Sequence, residues 1–513
     1  MFARLLSVGG FTLLSRITGF ARDMLMAWIL GKTMLSDAFI VAFLFPNYFR
    51  AIFGEGTINP AFLPRYAALR AKGEHDAARE FGDSVFSWQM LAQLLILIAG
   101  MIAMPWIVRV LAPGFAANPA ELALTVHLAR ITFPYLILTL VVVQLSAMLN
   151  AIDRFWAAAA WSNFLNLAMI ATLLAAPWFP NAAEAAAWGV LLGGVAQLVF
   201  ILWAAAREGL SLRVSWPRWS PEIKEFFIAL GAVTVGAASV VIAPFIDTVL
   251  ASFLATGSRT ALYYADRINQ LPLGVLGIAL GTVLLPEMSS RLAVNDRTGA
   301  DSAQNRAAAL SLFLTLPFAV VFVLIPDTIM RAIFAHGAFD KSAAELAAVG
   351  LAAYGVGLPA MALVRIVAST FYARHDTMTP ARVTVTAIVI NIVLKIVFVW
   401  GFHLGIAGIA LGTAIGAWVN VGTLLYLARK RDLLQVSDGF KRALFPIFLA
   451  AIAAGAGAWF GTQAGALLVQ HGRWHEATML AFAVVLGGIG YLTIAFLFRN
   501  TLPLGRLTRA TAT

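Results

Sequence analysis

Four arginines lie well inside stretches that are otherwise long and apolar: Arg16 and Arg22 in the first, Arg50 in the second and Arg267 in the eighth. Arg365, in the tenth, is a fifth candidate. A charge at the centre of a membrane helix costs roughly 2.5–3.5 kcal/mol on insertion scales, so several close together are expected to line a wet cavity. Arginine presents a planar fork of donors that stays protonated in almost any surroundings, which suits phosphate oxygens. A diphosphate is the natural ligand, and a small anion meets the same description. At 1.5 Å per residue Arg16 and Arg22 differ in depth by about 9 Å, enough to follow a moving anion or hold two parts of it.

Asp23, Asp37 and Glu55 are the matching carboxylates, and Ser15 is grouped with them. Two compatible roles are open: neutralising the arginines in the empty state, and swapping arginine contacts as gate partners. Asp23 lies seven residues from Arg16, close to one helical face, which predicts a pair within the helix or with a neighbouring one. Gly19, Pro46, Gly54 and Gly56 permit bending where the backbone must rearrange. Asp247 and Lys395, with Asn391 one turn before the lysine, form a second candidate set, read as a structural ion pair in preference to an ion site. There is no cysteine, and the seven histidines form no ligand-spaced cluster, so neither a metal nor a cofactor is expected. No nucleophile, base and orienting group gather at one depth, which argues against an enzyme.

The elements that carry these residues follow from composition. The 513 residues are 61% hydrophobic and only 12% charged, with a mean hydropathy of +0.85. That is too apolar for a chain with a polar shell and describes an all-α polytopic membrane protein. Apolar windows predict about fourteen spans, near 7–30, 34–57, 82–109, 122–150, 157–178, 184–206, 224–254, 261–287, 307–332, 344–373, 378–402, 405–428, 443–468 and 476–498. The polar stretch 64–83 is expected as a short helix along the inner membrane surface. The net charge of +11 reflects Lys and Arg in alternate breaks between spans, which points to topology and anionic lipid and not to nucleic acid. Both termini are expected to be cytoplasmic.

Pro46, Pro60 and Arg65 recur at the same spacings as Pro272, Pro286 and Arg291, 226 residues on. A-M-L-N-A before Asp153 faces S-T-F-Y-A before Asp376 near that offset. Six spans thus recur as six, which predicts two parallel six-helix lobes, 1–210 and 211–435, with a site between them near the midplane. Residues 436–513 form a two-helix appendix.

S-R-I-T-G-F-A-R-D, D-A-F-I-V-A-F-L-F-P-N-Y-F-R-A-I-F-G-E-G and Y-Y-A-D-R-I-N-Q-L-P-L-G-V-L-G-I-A-L-G-T-V-L-L-P resemble the MurJ/MviN family. So do A-H-G-A-F-D at 335–340 and F-Y-A-R-H-D-T-M-T-P at 371–380. The resemblance implies a flippase for lipid II in the bacterial cytoplasmic membrane, within the superfamily that includes multidrug/cation antiporters. It implies that Arg16, Arg22, Arg50 and Arg267 line a central cavity and contact the diphosphate and sugar, that Asp37 and Glu55 matter for gating, and that the appendix grooves the polyprenyl tail. Some relatives carry a sodium-binding acid where this chain has Lys395, which argues against sodium coupling. Expected partners are lipid II, membrane lipid and cell-wall synthesis proteins, with the chain itself a monomer. The competing readings are a flippase for another polyprenyl-diphosphate-linked oligosaccharide and a drug or cation antiporter, the latter disfavoured because it would want a carboxylate-dominated cavity.

Overall fold

A computed structural model describes residues 2–50, 58–217, 219–281, 284–469, 472 and 474–502. Among them every regular element is a helix, as hydrocarbon demands: each N–H and C=O finds its partner within its own segment. Ten helical segments of the described residues are long and apolar enough to cross a membrane, and Met34–Tyr48 and Val241–Ser252 are shorter apolar helices. All fourteen expected spans overlap helices. The four outside the set of ten are the first two of each repeat.

Packing divides the chain into two compact units, Met1–Thr260 with Gly337–Phe339, and Ala261–His336 with Asp340–Thr513. The first unit contains α1 (Phe2–Leu30), α2 (Met34–Phe49), α3 (Ile58–Ala71), α4 (His75–Leu111), α5 (Pro119–Thr132), α6 (Tyr135–Ala151), α7 (Phe155–Ala160), α8 (Ser162–Leu174), α9 (Ala182–Arg207) and α10 (Pro221–Ser252). Its core is α2, whose run Ala38–Phe43 is wholly buried, with Phe39 and Phe43 stacked. Thr132 of α5 donates to the Ala42 carbonyl at 3.1 Å, and Tyr135 of α6 donates to Gln197 of α9 at 3.3 Å. The loop 337–339 joins this unit because Ala338 N–H donates to the Trp28 carbonyl at 2.8 Å and Phe339 is fully buried. Gly31 and Gly337 both take positive φ, 60° and 62°, and a Cβ on either would run into this contact.

The expected surface helix over 64–83 is not a separate element. Gly73, with φ of 78°, ends α3, and α4 then runs unbroken for 37 residues from His75 into the third span. No proline stands between His75 and the apolar run, so the polar residues continue as the first turns of the spanning helix.

The second unit contains most of α11 (Ser258–Gly281), then α12 (Leu284–Ala293), α13 (Arg297–Leu324), α14 (Pro326–Phe334), α15 (Lys341–Tyr372), α16 (Met378–Ile396), α17 (Gly405–Lys430), α18 (Asp438–Leu468) and α19 (His475–Leu497). Small residues let its helices approach closely. Gly457, Gly461 and Gly465 of α18 form a ladder against α19: a Cβ on them would come within 2.8 Å of Leu486, 2.6 Å of Ala483 and 2.7 Å of Met479 backbone atoms.

The element order repeats along the chain. Both α9 and α17 have 26 residues, and each ends on a left-handed residue, Gly209 or Asp432, followed by the same closing bond: Leu210 N–H to Ala205 O and Leu433 N–H to Ala428 O. The ends of α6 and α15 match in the same way, with Asp153 and His375 left-handed.

Candidate functional site

One face of α1 carries Ser15, Thr18, Gly19 and Arg22, three or four residues apart and therefore stacked on a single side of the helix. That face meets α8, which offers Ser162, Asn163, Asn166 and Met169 at the same periodicity. Arg22 is 6% exposed and Asp23 3%. The Arg22 guanidinium gives Nε and Nη2 to one oxygen of Asp23, at 3.1 and 2.7 Å, and Nη1 to Oδ1 of Asn166 at 3.0 Å. It also lies 5.8 Å from the Phe43 ring centre on α2. Asn166 is itself fixed, its Nδ2 donating to the Ser15 carbonyl and the Thr18 hydroxyl at 3.1 Å each. Ser162 donates to the Ser15 hydroxyl at 3.0 Å.

Asp23 thus pairs with its neighbour Arg22. Arg16, two turns or about 10.5 Å away along the same helix, is exposed. Asn166 and Ser162 escape sequence reading because uncharged polar residues in an apolar span carry no signal until the facing helix is known.

Asp37, in the first turn of α2, is 2% exposed and caps the start of α11: it accepts from Gly257 N–H at 2.5 Å, Thr260 N–H at 2.8 Å and the Thr260 hydroxyl at 2.5 Å. An anion at a helix N-terminus meets unpaired N–H groups and the positive end of the dipole, so this carboxylate ties two helices together. Arg50 is half-buried at the C-terminal end of α2, its N–H donating to the Pro46 and Asn47 carbonyls. Glu55 lies outside the described residues.

In the second unit Arg267 is half-buried on α11, folded over the Tyr263 ring at 4.7 Å with Nη2 donating to the Tyr263 hydroxyl at 2.9 Å. Arg365 is exposed on α15. Lys395 is fully buried on α16 and Asn391, one turn earlier, 6% exposed. Both are seated against glycines at the same spacing on α17: a Cβ on Gly412 would meet the Lys395 stem and one on Gly416 the Asn391 side chain. Asp247 is half-buried on α10, in the first unit. Among the described residues no group of three or more His, Asp or Glu is placed to hold a metal ion.

Repeated apolar helices with cations buried inside them define a multi-pass membrane transporter. Solved structures share the fold: a multidrug-resistance MATE transporter in an inward-facing conformation has a TM-score of 0.67 at 15% identity, covering 83% of this chain and 97% of its own. The structure titled lipid II flippase MurJ, inward closed conformation, has a TM-score of 0.78 at 23% identity, covering 96% of this chain and 99% of its own. Sequence narrows the class. Residues 26–467 match the family model described as lipid II flippase MurJ, and a Rhizobium tropici protein described as a probable lipid II flippase MurJ is 40% identical over 441 residues, covering 84% of this chain and 81% of that protein. The chain belongs to the lipid II flippase MurJ family.

Proposed function

We propose that this chain moves lipid II from the inner to the outer leaflet of the bacterial cytoplasmic membrane by alternating access, with both termini cytoplasmic. The observation that supports this best is the packaging of Arg22, a permanent cation in a membrane helix whose partners include one adjacent carboxylate and one neutral amide. In the empty state Asp23 neutralises it, avoiding an uncompensated buried charge. A diphosphate offers Arg22 oxygens of the same geometry with more charge, so it competes with Asp23. Asn166 is uncharged and does not oppose the incoming anion.

Arg16, Arg50, Arg267 and Arg365 are proposed to contact the same head group, while Ser15, Asp37 and Glu55 act in gating. Asp247 and Lys395, with Asn391 beside the lysine, are proposed to form a structural ion pair. Guanidinium groups replace the hydration that an anionic sugar diphosphate would lose in hydrocarbon, and the tail stays in lipid, along a groove proposed for α18 and α19. A membrane potential that is negative inside favours inward movement of the emptied, cationic carrier.

Depletion tests the reading: cells losing the protein accumulate lipid-linked precursor on the inner leaflet and lyse, and Arg22→Ala or Arg267→Ala fails to rescue them. Normal growth and precursor turnover after depletion would sink it. A second arm collapses the potential in proteoliposomes, where unchanged turnover removes the resetting step.

A further inference from the structure

The segment between α9 and α10 has no regular structure, yet it is held in place. Arg213 N–H donates to Asp83 at 2.8 Å and Ser215 N–H to the Ser87 hydroxyl at 2.9 Å, both on α4. Trp219 stacks on Phe227 with ring centres 5.7 Å apart and meets the Trp88 edge at 5.5 Å. The backbone of this strap leaves its largest side chains uncovered: Trp216 is 86% exposed and Val214 72%.

The place where the strap is pinned says what surrounds it. Past Asp83 and Ser87, α4 carries a row, at steps of three or four, through Leu91, Leu94, Leu95, Ile98, Ile102, Trp106 and Val110. From Leu91 onward every member of that row is exposed and apolar, which in a membrane protein is a lipid-facing stripe. The rise from Leu91 to Val110 is about 29 Å, matching a hydrocarbon core of about 30 Å. Ser87 and Asp83 then lie about 6 and 12 Å beyond the hydrocarbon edge, so the strap pinned to them lies at the depth of the headgroup layer. Tryptophan, with an apolar body and one N–H, prefers that layer.

The charges agree. Arg213 and Arg207 are exposed there, the latter stacked on Trp203 at 4.7 Å. The neighbouring acids are engaged: Glu208 with Arg154 at 2.9 Å, and Glu222 and Glu225 with Arg65 at 3.5 and 3.0 Å. We infer that residues 211–217 and Trp219 form an interfacial anchor that seats in the headgroups of anionic phospholipid at the N-terminal end of α4. Trp216 and Val214 are its contact residues, and Arg207 and Arg213 set its preference for negative charge.

The absence of cysteine from the sequence makes the test direct. Single variants Val214→Cys and Trp216→Cys carry an environment-sensitive fluorophore in vesicles of phosphatidylcholine with or without phosphatidylglycerol. Lys72→Cys, in the exposed turn before α4, is the aqueous control, and Ile98→Cys the control at hydrocarbon depth. The expected result is several-fold stronger quenching at 214 and 216 by headgroup-nitroxide lipid than by aqueous iodide, enhanced by phosphatidylglycerol and reduced by adding Arg207→Gln and Arg213→Gln. Labels at 214 and 216 that follow the Lys72 control, whether bathed in water or covered by a protein partner, overturn the anchor. Equal quenching with and without phosphatidylglycerol overturns its anionic preference.

Discussion

Arg22 and Lys395 are both cations buried in membrane helices, and the two units enclose them by different means. Around Arg22 the enclosure is polar: Asp23, Asn166 and the Phe43 ring address the guanidinium itself. Around Lys395 the neighbouring helix addresses the stem: Gly412 makes room for it, and Gly416 does the same for Asn391. A hydrogen-bonded cation can exchange partners with little movement of backbone. A cation seated in a glycine notch cannot shift without moving a helix. The difference teaches that the Arg22 head group can be re-paired in place, whereas the Lys395 stem moves only with α17.

Removing the guanidinium should do the most damage. Arg22→Ala leaves Asp23 buried without its cation, and breaking such a pair costs about 3–5 kcal/mol, read as a lower Tm of the purified protein. In the double variant Arg22→Ala/Asp23→Ala stability should return while transport does not; recovery of both would mean that the pair is only structural. Next comes Asn166→Ala, which strands one guanidinium N–H and should cost about 1.5–3 kcal/mol, the range for hydrogen bonds to charged groups. Transport should fall with it, and Asn166→Gln is the partial rescue to look for.

For the steric site, Gly412→Ala forces a methyl group against the Lys395 stem and within 3.2 Å of its backbone nitrogen, an overpacking cost of about 1–3 kcal/mol. A Tm equal to that of the parent would erase the contrast between the two enclosures. The smallest effect is expected at Asp376, in the turn after α15. There the Thr379 hydroxyl and N–H, with Arg431 at 3.1 Å, hold the carboxyl below its usual range. A depressed folded value means the contribution is present above the unfolded carboxylate value of about 3.9 and is lost as pH falls through the folded one. Asp376→Asn should therefore flatten the acid limb of the Tm profile and leave transport at neutral pH unchanged.

Much of this was legible in the sequence because hydrocarbon leaves few options. A run of apolar residues long enough to span must be a helix, and of the arginines inside such runs Arg22 is sheltered by protein while Arg16 and Arg365 are exposed. What composition does not encode is which residue does the sheltering. Asn166 lies 144 positions from Arg22, and the helix start that Asp37 caps is more than 200 positions away. Spacing pointed Asp23 toward Arg16, and it was silent on the guanidinium of Arg22 next door, which lies 2.7 Å from Asp23. The notches at Gly412 and Gly416 were equally silent, since a glycine in a membrane helix announces closeness but not to what. The expected surface helix failed for a local reason: Gly73 broke the chain earlier than the change in polarity did.

The ladder formed by Gly457, Gly461 and Gly465 has a consequence for how the molecule is made and inherited. Backbones that touch directly attract one another whether or not water is expelled, so the terminal hairpin can close inside the bilayer as soon as both its arms are threaded. A segment that brings its own adhesive is made as a unit, and what it must inherit unchanged is the face that docks on α13, where Tyr491 donates to the Phe313 carbonyl at 3.1 Å.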